Sequence, residues 1–155
     1  MIQRKDSATL RVQGSYEFDT DVQTVWDAMQ SPEVLSGCIP GCESFDPAGE
    51  GRYTVQMRVR VSAITGSYKG EVKMENIDYL KSYTMVVEGS GRGGTVKGEG
   101  DLVFSESEGQ TSIQIAGDVQ VTGVIARVGQ RLLGGASRMM MNQFFDCLKT
   151  KIEEG

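Results

Sequence analysis

The chain has 155 residues, the length of one ordinary domain, and it is long enough to bury a core without disulfides or metals. A net charge of -5 argues against binding a phosphate backbone, and the complete lack of histidine removes the commonest general base and the commonest metal ligand. No run approaches the roughly 20 apolar residues of a membrane helix, and Met1 to Arg11 lacks the apolar segment of a signal peptide.

Residues 1–8 form a polar N-terminal segment, and 9–155 read as a single domain. Alternation from Thr9 predicts a strand over 9–18. Asp19, Thr20 and Asp21 then offer N-cap oxygens to a short helix ending at Met29, with Val22, Val25, Trp26 and Met29 at helical spacing. A second short helix starts at Ser31-Pro32 and stops at Ile39-Pro40-Gly41. A weak strand follows at 42–50.

Five runs with a period of two come next, at 52–62, 65–76, 83–91, 94–104 and 111–121. One face carries Tyr53, Val55, Met57 and Val59, then Tyr68, Val72 and Met74, and continues through Tyr83, Met85, Val87, Val96, Leu102, Ile113, Ile115 and Val121. Charged residues fall on the opposite face. Such alternation with short connections predicts an antiparallel sheet with one covered face and one wet face. From Thr122 to about Glu154 the period becomes helical. Ile125, Val128, Leu132, Ala136, Met139, Met140 and Cys147 share one arc, with Leu133 at its edge, and Gly134-Gly135 is the expected bend. The fold class is therefore α+β: a curved antiparallel sheet wrapped around a long C-terminal helix, the helix-grip arrangement.

The covered face has no Asp, Glu, Lys or Arg in these runs, yet it carries Gly66, Gly70, Gly89, Gly98, Gly100 and Gly117. Glycines there either mark the bends of a curling sheet or leave space for a ligand. Both readings fit the residues, and methionines such as Met57 and Met140 would suit an adaptable lining.

Motifs with possible chemistry are few. GSGRGG at 89–94 satisfies G-x-G-x-x-G but precedes a strand, not a helix, so a glycine-rich hairpin is expected. Cys38, Cys42 and Cys147 cannot all pair, lack histidine for a zinc site, and read as ordinary thiols of a reducing compartment. Paired carboxylates lie at caps, on wet strand faces or at the frayed end, so no interior acid/base pair is expected. Tyr68 and Tyr83 are the inner-face groups able to orient a ligand oxygen. Trp26 reads as core. Arg127, Arg131 and Arg138 form a stripe that is either a wet helix face or a surface for an acidic partner or anionic lipid.

Several strings carry a family resemblance: GSYEF at 14–18, VW at 25–26, SPEVLSGCIPGCE at 31–43, GSYKGEV at 66–72, GSGRGGTVKGEG at 89–100, VGQRL at 128–132 and FF at 144–145. Over about residues 10–150 the chain resembles CoxG, a carbon monoxide dehydrogenase family within the START and polyketide-cyclase-like helix-grip superfamily. The resemblance implies a non-catalytic accessory protein of a molybdenum-copper carbon monoxide dehydrogenase, or a related molybdenum hydroxylase. It implies a lipophilic quinone, of menaquinone or ubiquinone type, held in the cavity, and recruitment of the dehydrogenase to the membrane. Longer members continue into a membrane-anchoring tail, whereas this chain stops at Gly155, so anchoring by this chain alone is not expected. The expected location is cytoplasmic or peripheral at the inner face of the cytoplasmic membrane, with no nucleic acid partner. The alternatives are a cyclase or aromatase of the same superfamily, or an assembly factor with a filled core.

The expected ligand lining is Met57, Tyr68, Met85, Val87, Ile115, Val128, Leu132, Ala136, Met139 and Met140. The expected mouth is Ile39, Pro40 and Gly41 with Gly91 and Arg92.

Overall fold

A computed structural model describes residues 7–61 and 64–155. β1 (Ser7–Phe18) leads into α1 (Val22–Met29) and α2 (Pro32–Cys38). β2 (Cys42–Pro47), β3 (Arg52–Val59), β4 (Gly66–Asp78), β5 (Ser82–Gly91), β6 (Gly94–Ser107) and β7 (Gln110–Thr122) follow. The chain ends in α3 (Val124–Arg127) and α4 (Gln130–Glu154). The polar segment 1–8 and the strand ending at Ser62 thus fall partly outside the described residues.

All seven strands form one antiparallel sheet in the order β1-β7-β6-β5-β4-β3-β2. The class is α+β, with the long helix lying along the concave face. The sheet curls because glycines face each other across neighbouring strands, Gly70 opposite Gly89 and Gly100 opposite Gly117. A Cβ at Gly70 would run into the Glu88 carbonyl oxygen, and one at Gly117 into that of Glu99. These two positions need glycine for close backbone approach, so bending accounts for part of the glycine content of the concave face.

Local chemistry sets the helix starts. Ser31 caps α2 by accepting a 3.3 Å hydrogen bond from Val34 N–H, with Pro32 at the first turn. At α1 the N-cap is Asp21, but its side chain caps no backbone N–H. Glu106 on β6 accepts from Val22 N–H at 2.6 Å and takes over that role, placing a carboxylate at the helix N-terminus.

Two features differ from the sequence reading. The terminal helix is broken at Gly129, whose φ of +93° is open to glycine and costly for other residues, and not at Gly134-Gly135, across which α4 runs unbroken. Cys38 and Cys147 form a disulfide with Cα atoms 5.4 Å apart, tying the end of α2 to α4. A separation of 109 residues hides this pairing from any local pattern. The pairing also withdraws the support that unpaired thiols lent to a reducing compartment. Cys42 stays free, its thiol pushed up in pKa mainly by burial.

The interior has two packed clusters. An aromatic one joins Trp26, Tyr83, Phe104, Phe45 and Phe145 under α1 and α2. Trp26 meets Phe104 and Tyr83 edge-on, with ring centroids at 4.9 and 5.6 Å. A smaller aliphatic cluster joins Val121, Ile125, Ala126 and Leu133 where β7 meets the two terminal helices.

Candidate functional site

Antiparallel register lays the concave residues out as cross-strand rows. One row runs Val55, Gly70, Gly89, Val96, Val121 from β3 to β7. The next runs Val72, Val87, Gly98, Val119, Leu10. Above the first row and part of the second lies a cavity of about 290 Å³, roofed by Ile125 of α3 and by Leu133, Ala136, Ser137 and Met140 of α4. Val55 and Val72 belong to the aromatic cluster, and Val121, Ile125 and Leu133 to the aliphatic one. The cavity therefore sits in the gap between two filled regions. Its volume is just below the roughly 300–1,000 Å³ usual for small-molecule pockets.

The chemistry of the wall is almost purely aliphatic. Lys69, Glu71 and Glu88 border the cavity. Their places in the strand alternation turn their side chains to the convex face. There Glu71 pairs with Arg52 at 2.8 Å and Glu88 with Lys97 at 3.6 Å. Tyr68 contributes the one phenol of the lining, and its hydroxyl donates to Ile64 C=O at 2.8 Å. Burial raises its pKa, so the group stays a neutral phenol. An apolar, uncharged molecule matches such a wall; a charged one would forfeit its hydration without a partner.

Beside the cavity is a groove of about 470 Å³ lined by Pro40, Gly41, Arg58, Arg60, Met139 and Gln143. Val59 and Met140 line both spaces.

Of the residues expected to line a site, the structure brings Met57, Tyr68, Val87, Ala136 and Met140 together around the cavity. The remaining five lie elsewhere. Met85 is one cross-strand row further on, opposite Met74 and Gly100, and Ile115 is two rows on, opposite Leu102; both pack on the aromatic cluster. Val128 ends α3 and packs on the aliphatic cluster. Leu132 and Met139 are 43% and 44% exposed. The break at Gly129 resets the helical phase, so Leu133 replaces Leu132 on the inner arc. Of the expected mouth, Pro40 and Gly41 line the groove, while Ile39 packs partly buried on the aromatic cluster. Gly91 and Arg92 are exposed in the β5–β6 hairpin. That hairpin closes against Tyr68, and Gly93 C=O accepts from Ile125 N–H at 2.9 Å. GSGRGG is thus a hairpin followed by a strand.

Leu10, Val59, Val96, Val121, Ile125 and Leu133 were missing from the expected lining. The period-two pattern had placed the strand residues among them on the covered face, and the strand register gathers them above one cavity. Tyr83 does not reach the cavity. It is 1% exposed, and its hydroxyl has no hydrogen-bond partner among the described residues. Also among the described residues, no group of three or more His, Cys, Asp or Glu side chains is placed to hold a metal ion.

Fold and cavity together define a helix-grip domain with an aliphatic chamber between sheet and terminal helix. The family model for the carbon monoxide dehydrogenase component CoxG matches residues 14–153, and the chain belongs to that family. Among solved structures it is similar to a conserved protein from Geobacillus kaustophilus, at 29% identity and a TM-score of 0.91 over 94% of this chain and 96% of that one. The Zhui aromatase/cyclase of Streptomyces sp. R1128 shares the fold at 10% identity and a TM-score of 0.70 over 94% of each chain. So does norcoclaurine synthase of Thalictrum flavum, at 14% identity and a TM-score of 0.66 over 99% of each chain. A comparison with curated protein sequences returns no match.

Proposed function

We propose that this protein is a non-catalytic accessory protein of a carbon monoxide dehydrogenase or related molybdenum hydroxylase, and that it holds a lipophilic quinone-like ligand in the cavity under α4. The observation that carries the reading is the roughly 290 Å³ of space whose wall has no inward-facing charged side chain among the described residues. Membership of the CoxG family supports the link to the dehydrogenase. A ring with two carbonyls and an alkyl substituent is uncharged, flat and apolar, which suits that wall. The longer part of such a ligand has a path past Val59 and Met140 into the neighbouring groove. In this role the protein carries an electron acceptor between bilayer and dehydrogenase and brings the enzyme to the membrane.

The aromatase/cyclase neighbour raises the rival of an enzyme working on an aromatic substrate. General acid–base chemistry needs a titratable group within reach of the substrate. Among the described residues Tyr68 is the one such side chain facing the cavity, and its hydroxyl is engaged with Ile64. The accessory reading is therefore preferred. Native mass spectrometry after incubation with a short-chain quinone tests it. The reading predicts a one-to-one adduct that survives desalting. A protein that stays unliganded at saturating quinone would refute it.

A further inference from the structure

The outer side of the terminal helices has a composition unlike the rest of the surface. From Val119 to Phe145 the chain contains no Asp or Glu, although acidic residues outnumber basic ones 21 to 16 overall. The charges in that stretch are Arg127, Arg131 and Arg138, all exposed. Large apolar side chains stand exposed among them: Val124 at 40%, Leu132 at 43% and Met139 at 44%. Arg131 and Arg138, like Leu132 and Met139, are seven residues apart, close to two helical turns, so each pair lies along one side of α4. Gly135, between the two pairs, adds no bulk. Among the described residues, neither Arg131 nor Arg138 is in an ion pair.

Exposed apolar side chains cost solvation, and unpaired arginines of one sign repel each other, so this face gains from an occupant that is both anionic and apolar. A bilayer with anionic headgroups supplies both within a few ångströms of depth, and arginine next to leucine and methionine is the pattern of a helix lying in that interface. We propose that the outer face of α3 and α4 is a docking surface for an anionic lipid bilayer, with Leu132 and Met139 inserted among the acyl chains and Arg131 and Arg138 on the phosphates. The face is continuous with the groove beside the cavity, because Met139 is part of both. Docking there would open the groove towards the bilayer. This extends the reading of the protein as a carrier working at the membrane, but it stands on a separate observation and is tested without quinone or dehydrogenase.

The test is co-sedimentation of the full chain with vesicles of phosphatidylcholine alone and of equal parts phosphatidylcholine and phosphatidylglycerol, at low and at high ionic strength. The protein should pellet with the anionic vesicles at low salt, be released by high salt, and stay in solution with phosphatidylcholine alone. The double variant Arg131→Glu/Arg138→Glu and the single variant Leu132→Asp should each weaken partitioning at least about ten-fold. Both change exposed positions, and an unaltered circular dichroism melt would show that the fold is retained. Failure of the wild-type chain to bind anionic vesicles at low salt would overturn the proposal. Undiminished binding by both variants would do the same. A dimer in analytical ultracentrifugation that Leu132→Asp dissociates, with no vesicle binding by the wild type, would assign the face to a second copy and also overturn it.

Discussion

Val59 on β3 and Met140 on α4 each line both the aliphatic cavity and the groove beside it. They form the partition between a chamber without inward-facing charge and a surface depression that carries Arg58 and Arg60. Met140 is an unbranched side chain with several rotatable bonds, so it can swing aside with little cost to the backbone. The site is thus a chamber with a flexible partition, reached from the side where the turn after α2 meets α4.

The disulfide holds that side together. Cys38 ends α2, directly before the Ile39-Pro40-Gly41 turn, and Cys147 lies on α4. A bridge across 109 residues restricts the unfolded chain strongly, and bridges of this kind are worth about 2–4 kcal/mol. Replacing Cys147 with Ser, or adding a reductant, should lower the thermal midpoint by about 5–15 °C. Differential scanning calorimetry with and without reductant measures this; an unchanged midpoint would show that the bridge adds nothing to stability.

Tyr83 presents the opposite case. Its ring is a keystone of the aromatic cluster, but its buried hydroxyl lacks a partner among the described residues, and burial drives its pKa far above the ordinary phenol value. Tyr83→Phe keeps the ring and removes the unsatisfied group. It should be neutral or stabilising by about 1 kcal/mol, read by urea denaturation. A loss of more than about 1 kcal/mol would mean that the hydroxyl has a partner in solution.

The helix phase is tested by two neighbouring leucines. Leu133 is 6% exposed and roofs the cavity, whereas Leu132 is 43% exposed. Leu133→Ala should cost about 2–3 kcal/mol, and Leu132→Ala less than about 0.5 kcal/mol, in the same denaturation assay. The reverse order would put the break in the helix somewhere other than Gly129.

These two leucines also mark how far the sequence can be read. Strand alternation depends only on the pleat, so Val55, Val72 and Val96 could be assigned to the covered face from their spacing alone. Helical phase is less forgiving, because it accumulates along the chain and one glycine resets it. Extending a single helix from Thr122 turned Leu132 inward, and the positive φ of Gly129 turned it out again. Cross-strand rows need the register of every pair, which spacing within one strand does not contain. For that reason Met85 and Ile115 were on the correct face but outside the cavity. Long-range partners left no local trace either: Cys38 with Cys147 and Glu106 with Val22 join segments that only the finished fold brings together.

The central claim, that an apolar molecule fills the space beneath α4, is tested most directly by titrating a short-chain quinone while following the fluorescence of Trp26, in the wild type and two tryptophan variants. Ala136 is 9% exposed and faces the cavity, so Ala136→Trp puts an indole where the ligand belongs. Leu132→Trp adds the same fluorophore on the exposed side of the same helix. Saturable one-to-one quenching is predicted for the wild type and for Leu132→Trp, with at least about a hundred-fold weaker binding for Ala136→Trp, a loss of roughly 2.7 kcal/mol. Equal affinity in all three proteins would contradict the account, because quinone would then be binding somewhere other than the chamber between sheet and helix.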